Sequence, residues 1–102
     1  MDEFNRALLE AVDEGLLALG ESVRQAIYWH LENKYFIKRE EIPDKPEKFN
    51  EALKTMIGEG ANVLLKLMVK RLYNKLGLNF EEKPNWSFKD YVEYAKKNIK
   101  IT

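Results

Sequence analysis

Residue types that could carry catalytic or metal chemistry are scarce in this 102-residue chain. It contains no cysteine, which excludes disulfides, thiolate nucleophiles and sulfur-ligated metals, and its single histidine lies within Tyr28-Trp29-His30. One imidazole cannot form a first-row metal site unless carboxylates from elsewhere join it. We therefore interpret Tyr28-Trp29-His30 as an aromatic patch on a helix.

Two pairs of adjacent acids, Glu40-Glu41 and Glu81-Glu82, lie near predicted loops. A general acid needs a partner carboxylate at a defined separation and usually an apolar wall that raises its pKa, and adjacent residues supply neither. Gly58-Glu59-Gly60 precedes a helix, where free amides attract anions, but it lacks both glycine-rich phosphate-binding patterns. We predict that the chain is not an enzyme and uses no metal or other cofactor.

Four basic residues of one predicted helix are the candidates for contacts with nucleic acid. They spread over more than one face of a mostly apolar helix, whereas a groove-reading helix presents basic residues on one exposed face. Over the whole chain, 17 basic and 17 acidic residues cancel, so no net charge attracts polyanions or an anionic membrane. Nucleic-acid binding is therefore an alternative function, and its candidate contacts are Lys66, Lys70, Arg71 and Lys75.

The composition predicts one soluble, folded domain over residues 1–102. Hydrophobic residues make up 45% and charged residues 33%, and no apolar run is long enough to cross a bilayer. The acidic start Met1-Asp2-Glu3 does not resemble a secretory signal, so we expect a cytoplasmic location and no membrane partner. The predominance of Lys and Glu favours a thermophilic source, although the eight Asn residues argue against it.

Hydrophobic periodicity predicts an all-α fold, a compact bundle of five helices. The most informative segment is residues 60–76, in which eight residues fall on one arc roughly 180° wide. An arc of that width must contact several neighbours, so we expect this segment to be the buried central helix. The eight residues are Ala61, Leu64, Leu65, Met68, Val69, Leu72, Tyr73 and Leu76.

Capping signals set the boundaries of the first two helices. A first helix over residues 2–19 should end at Gly20, which has the position of a C′ glycine. Ser22 and Gln25 have the spacing of a capping box for a second helix. The segment 34–43 could end that helix or pack as a short extended piece, and we interpret it as a loop.

Similar signals delimit the later helices. Asp44 is the expected cap of a third helix, and Gly77 should end the fourth in a Schellman motif. Ser87 and Asp90 form a capping box for the fifth. The glycines within residues 58–60 are compatible with either a turn or a continuous helix.

Apolar residues outside the main arcs of two helices predict self-association. A small domain has too little interior to bury all of them, so we expect a two-fold homodimer, or contact with another protein. The acidic first helix and the basic fourth helix should complement each other, either within the chain or across the dimer. The interface candidates are Leu9, Leu16, Leu17, Val63 and Leu67.

A pocket for a small molecule among the helices is the other alternative function. Such pockets combine aromatic walls with a few polar groups that orient the ligand. The candidate lining residues are Trp29, His30, Tyr73 and Tyr94.

Glycines, caps and core positions between residues 19 and 78 form a recognisable pattern. It includes Leu19-Gly20-Glu21-Ser22-Val23, Ile27-Tyr28-Trp29-His30-Leu31, Gly58-Glu59-Gly60-Ala61, Val69-Lys70-Arg71-Leu72-Tyr73 and Leu76-Gly77-Leu78. This pattern resembles a family of small archaeal helical domains that occur alone or at the C-terminus of archaeal signalling proteins, where they are called output domains. The resemblance implies a stand-alone interaction or regulatory module of archaeal origin, and it carries over no functional residue.

Overall fold

The computed structural model describes residues 2–99, and its regular elements are all helical. Five α-helices and one 3₁₀ helix follow one another, and no strand occurs within this range. The all-α prediction is confirmed, with the 3₁₀ helix as a sixth element that the sequence did not predict. The elements are α1 (Glu3–Leu17), α2 (Glu21–Lys34), the 3₁₀ helix (Arg39–Asp44), α3 (Pro46–Ile57), α4 (Gly60–Leu76) and α5 (Phe88–Asn98).

The helices are arranged around the contact between α1 and α4, which is the most extensive in the structure. α2 and the 3₁₀ helix pack on α1, whereas α3 and α5 pack on α4 and on each other. Seven of the 17 residues of α4 are buried, and these are the predicted arc without Leu76, which is partly buried. α1 buries eight of its 15 residues, so α4 shares the centre with α1 and is not the most buried helix.

Gly15 allows α1 and α4 to approach closely. A Cβ atom at this position would lie 2.6 Å from Cγ and 3.3 Å from Cε of Met68, whose side chain is fully buried. Contacts below about 3 Å are repulsive, so any larger residue would displace Met68 or separate the helices. The pair fixes the distance between the two helices that carry the rest of the fold.

The turn between α1 and α2 differs from the prediction. α1 ends at Leu17, and Gly20 adopts φ 105° and ψ 155° as the N-cap of α2. Because the helix already begins at Glu21, Ser22 is not at the cap position and forms no capping box with Gln25. Instead, Gln25 donates a hydrogen bond to the carboxylate of Glu21 at 3.1 Å.

The connection after α2 was also predicted wrongly, because it is not a loop throughout. Arg39–Asp44 forms the 3₁₀ helix, which packs on α1. Two buried residues, Ile37 and Ile42, hold this segment against the core. Asp44 therefore belongs to the 3₁₀ helix and does not cap α3, whose N-cap is Lys45.

The predicted helix ends around α4 and α5 are confirmed. Gly77 is left-handed (φ 71°), and the amide of Leu78 donates to a carbonyl in the last turn of α4, as in a Schellman motif. Ser87 and Asp90 cap α5 reciprocally. Between α3 and α4, Gly58 has φ 71° and ψ −147°, so the chain turns there and the helix is not continuous.

We predict that Gly15→Ala lowers the free energy of unfolding by about 1–3 kcal/mol, because the new methyl group overpacks against Met68. Gly60→Ala is the matched control, since a Cβ there meets nothing within 4 Å, and it should be neutral or stabilising. Urea denaturation of both variants measures the difference. Equal stabilities would show that the two helices are not closely packed at Gly15.

Candidate functional site

A cluster around Asp13 joins α1, α2 and the 3₁₀ helix. Arg39 donates from Nε and Nη2 to the two carboxylate oxygens, at 3.1 and 2.5 Å. The hydroxyl of Tyr28 donates to the same carboxylate, and Nη1 of Arg24 lies 3.5 Å from it. No sequence pattern pointed to this cluster, because its members come from three elements.

The electrostatics of the cluster fix its protonation. Burial raises the pKa of the Asp13 carboxyl. Hydrogen bonds from Arg39 and Tyr28 and the charges of Arg39 and Arg24 together lower it by more, so the pKa lies below its ordinary value. Burial, together with the hydrogen bond to Asp13, raises the pKa of the Tyr28 phenol. Asp13 is therefore ionised and Tyr28 neutral around pH 7, and the cluster acts as a structural junction.

The four predicted pocket residues do not converge. Trp29 is exposed and contacts His30 edge to face, with 5.1 Å between the ring centroids. Tyr73 and Tyr94 stack at 6.4 Å and line a different depression, beside the connection between α4 and α5. The structure does not bring the four residues into one pocket, because His30 lines a cleft on which neither tyrosine borders and Trp29 lies exposed on α2.

His30 lines an open cleft of about 500 Å³ between α2 and α3. Its Nδ1 atom is buried without a hydrogen-bond partner among the residues that the structure describes. Ile27, Tyr35 and Met56 give the cleft an apolar lining.

Two of the five predicted interface residues are inside the chain. Leu9 and Leu16 are 2% and 0% exposed, so the prediction was wrong for them. The reason is that α1 packs on α2, α4 and the 3₁₀ helix, which together cover its broad apolar surface. Leu17 and Val63 are exposed, at 45% and 73%, and Leu67 is partly exposed.

Three of the four predicted nucleic-acid contacts are paired with carboxylates of the same chain. Lys66 contacts Glu82 at 2.6 Å, while Arg71 and Lys75 contact Glu14 at 3.3 and 2.7 Å. The acidic face of α1 therefore neutralises two of the basic residues of α4, Arg71 and Lys75, within the chain. The fourth cation, Lys70, lies over the ring of Phe80, 5.6 Å from its centroid.

The outer face of α2 is exposed and mostly uncharged, with the exposed Glu32 at its edge. Trp29, in the middle of this face, is 59% exposed. Phe36, just beyond the helix, is 77% exposed and has φ 58°, a left-handed conformation that is costly for a bulky residue. The uncharged, exposed residues between and beside them are Ser22, Gln25, Ala26 and Asn33.

A second feature that the sequence reasoning missed is Asn50 of α3. It is 6% exposed, the only buried polar side chain in residues 2–99, and it lines a cavity of about 320 Å³. The signal was present in the sequence, since Asn50 precedes Leu53 by three residues and so falls on the same face of α3 as the core. We call this space the Asn50 cavity; it lies between α3, α4 and the chain that leads into α5.

No known family model matches the sequence, and no curated protein or solved structure is significantly similar to it. Within the described part of the chain, no helix combines the length and hydropathy needed to cross a membrane. No three acidic or histidine side chains of residues 2–99 are grouped so that they could hold a metal ion.

We predict that Asp13→Asn lowers the free energy of unfolding by about 1–3 kcal/mol at pH 7, because Arg39 and Tyr28 lose a charged acceptor. The pKa of Asp13 is lower in the folded protein than in the unfolded chain, where it is about 3.9. Ionised Asp13 therefore stabilises the fold fully above that pH, and this stabilisation is lost as the pH falls through the pKa of the folded state. The difference in unfolding free energy between the wild-type protein and Asp13→Asn should therefore shrink as the pH is lowered. Denaturation at pH 7 and pH 3 measures it, with the exposed Glu14→Gln as a control that costs about 0–1 kcal/mol.

Proposed function

We propose that the chain is a non-enzymatic interaction module that self-associates through the outer face of α2. Trp29 and Phe36 are the anchors of this interface. The observation that carries the proposal is the exposure of two large aromatic side chains, one on α2 and one just beyond its end, where α2 is the least buried α-helix and buries only Ile27 and Leu31. Buried aromatic residues supply much of the binding energy in protein interfaces, so their exposure on a free chain supports a partner.

The backbone at Phe36 adds to this argument. A left-handed conformation costs an L-residue about 1–2 kcal/mol, and only Gly, Asn and Asp adopt it readily. A ring that is 77% exposed gains little burial within the chain to offset that cost. The turn at Phe36 closes the end of α2, because the amide of the buried Ile37 donates to the carbonyl of Leu31 at 2.9 Å, but that role needs no aromatic ring, so the large exposed side chain supports a contact with a partner.

A second copy of the chain is the partner that the charges favour. One third of the residues of this protein are charged, yet the centre of the outer face of α2 has uncharged residues at 22, 25, 26, 29 and 33, and the exposed Glu32 lies only at its edge. A neutral face meets its own copy without like-charge repulsion, and depletion of charge is typical of interface centres. A two-fold axis near Trp29 would bring the two indoles together and place Phe36 of each copy near Ser22 of the other.

The resemblance to archaeal output domains agrees with a cytoplasmic, regulatory role for such a dimer. Nucleic-acid binding by α4 is the weaker alternative. The pairing of Lys66, Arg71 and Lys75 with carboxylates means that binding to phosphates would first have to break those contacts.

We predict that the protein dimerises at tens of micromolar and that Trp29→Glu makes it monomeric without unfolding it, since Trp29 is exposed. Val63→Glu is the control, a charge placed on an apolar site of α4 that is 73% exposed, against 59% for Trp29. Sedimentation equilibrium measures both at low and high salt. Dissociation by Val63→Glu but not by Trp29→Glu would move the interface to α4.

The same experiment with duplex DNA tests the alternative. An apolar dimer should be nearly indifferent to salt, whereas binding through Lys66, Lys70, Arg71 and Lys75 should weaken steeply as salt rises. A salt-sensitive DNA complex of a monomeric protein would replace the proposal.

Phe36→Asn should separate folding from association, because it changes them in opposite directions. Asn tolerates the left-handed conformation, so we expect the free energy of unfolding to rise by about 0.5–1 kcal/mol. Removal of the exposed ring should weaken dimerisation by about tenfold. Urea denaturation at low protein concentration gives the free energy of unfolding, and sedimentation equilibrium gives the strength of dimerisation. A variant that is less stable but associates normally would show that Phe36 serves the fold.

A further inference from the structure

We propose that the Asn50 cavity binds a small carboxylic acid with an aromatic or branched apolar body. The cavity has walls from three parts of the chain. α3 contributes Asn50 and Lys54, α4 contributes Leu65 and Val69, and the chain leading into α5 contributes Trp86 together with the helical Phe88 and Tyr91. At about 320 Å³ the cavity is at the lower end of the range for ligand pockets, which fits a ligand of modest size.

Asn50 is the strongest indication of a ligand. Only 6% of Asn50 is exposed, and its amide forms no hydrogen bond among residues 2–99, although neither amide atom is completely sealed from solvent. Buried amides are almost always hydrogen-bonded, because loss of their contacts with water is costly. The remaining exposure of Asn50 opens into the cavity, where its amide group offers one acceptor and two donors to an occupant.

The charges of the cavity select an anion. Three lysines and one glutamate line it, and the glutamate, Glu82, is 2.6 Å from Lys66. Lys83 contacts a second carboxylate, that of Glu81, at 3.1 Å. Lys54 has no ion pair among the described residues, so its charge is available to an occupant.

The spacing of Asn50 and Lys54 fits a carboxylate. They are four residues apart on α3, so their Cβ atoms lie about 5–6 Å from each other on one face. A carboxylate between them can accept hydrogen bonds from the amide nitrogen of Asn50 and the ammonium group of Lys54 together. A hydroxyl group next to the carboxylate would in turn donate to the amide oxygen of Asn50.

The aromatic wall is rigid enough to hold the body of the ligand. Trp86 and Tyr91 are in edge-to-face contact, with 5.2 Å between ring centroids. The hydroxyl of Tyr91 accepts from the amide of Lys83 at 2.7 Å and donates to its carbonyl at 3.0 Å, which fixes the chain beside the cavity. The wall is therefore formed before a ligand arrives.

The test is a titration with 3-phenyllactate, which combines a carboxylate, a neighbouring hydroxyl and an aromatic ring. We expect the ¹H–¹⁵N signal of the Trp86 indole to shift with a dissociation constant of about 1 mM, typical of a ligand of this size. The indole of Trp29, on the outer face of α2, should not shift and serves as the internal control. Lactate, which lacks the ring, and 2-hydroxy-3-phenylpropanamide, which lacks only the charge, should each bind at least about tenfold more weakly.

Three variants assign the binding to the proposed residues. Asn50→Leu should raise the midpoint of thermal unfolding, because it replaces a largely buried amide that has no hydrogen-bond partner. It should also weaken the binding of 3-phenyllactate by about tenfold or more. Lys54→Gln, at an exposed site, should weaken the binding of 3-phenyllactate without a change in stability. Lys48→Gln replaces an exposed lysine of α3 outside the cavity and should change neither binding nor stability.

The proposal is overturned by no saturable shift of the Trp86 indole up to about 20 mM 3-phenyllactate, a concentration well above the expected constant. It is equally overturned by unchanged affinity in Asn50→Leu and Lys54→Gln. Equal binding of 2-hydroxy-3-phenylpropanamide would contradict the requirement for an anion.

Discussion

The close approach of α1 and α4 at Gly15 and Met68 is the contact on which the other elements depend. α2 and the 3₁₀ helix rest on α1, and α3 and α5 rest on α4, so each group is placed relative to the other mainly through this pair. Two polar arrangements support it. The Asp13 cluster joins the first group internally, and the pairing of Glu14 with Arg71 and Lys75 bridges α1 and α4 at the surface.

This arrangement explains where the surfaces available for binding lie. α2 has neighbours on one side only, so Trp29 and Phe36 stay exposed while its inner residues are buried. On the other side of the molecule, α3, α4 and the chain leading into α5 meet around Asn50 without filling the space between them. The two proposed activities, self-association and binding of a carboxylic acid, use different groups of helices. One proposal can therefore be wrong while the other is right.

The sequence was most informative where structure is set locally. The apolar arc of residues 60–76, the left-handed Gly77 and the cap formed by Ser87 were predictable because each depends on neighbours within one or two turns. The burial of Leu9 was not, since counting apolar residues on one helix does not show how many helices surround it. The converging partners of Asp13 depend on tertiary contacts that no local pattern encodes, and no glycine marks the left-handed turn at Phe36.

Native-state hydrogen exchange at concentrations too low for association tests the central role of the α1–α4 pair most directly. Amides in the middle of α1 and α4 should exchange only through global unfolding, with the largest protection in the protein. Amides of α2 should exchange through a local opening of lower free energy, because Ile27 and Leu31 are its only buried residues. Protection in α2 equal to that of α1 and α4, or fast exchange around Gly15, would contradict the account.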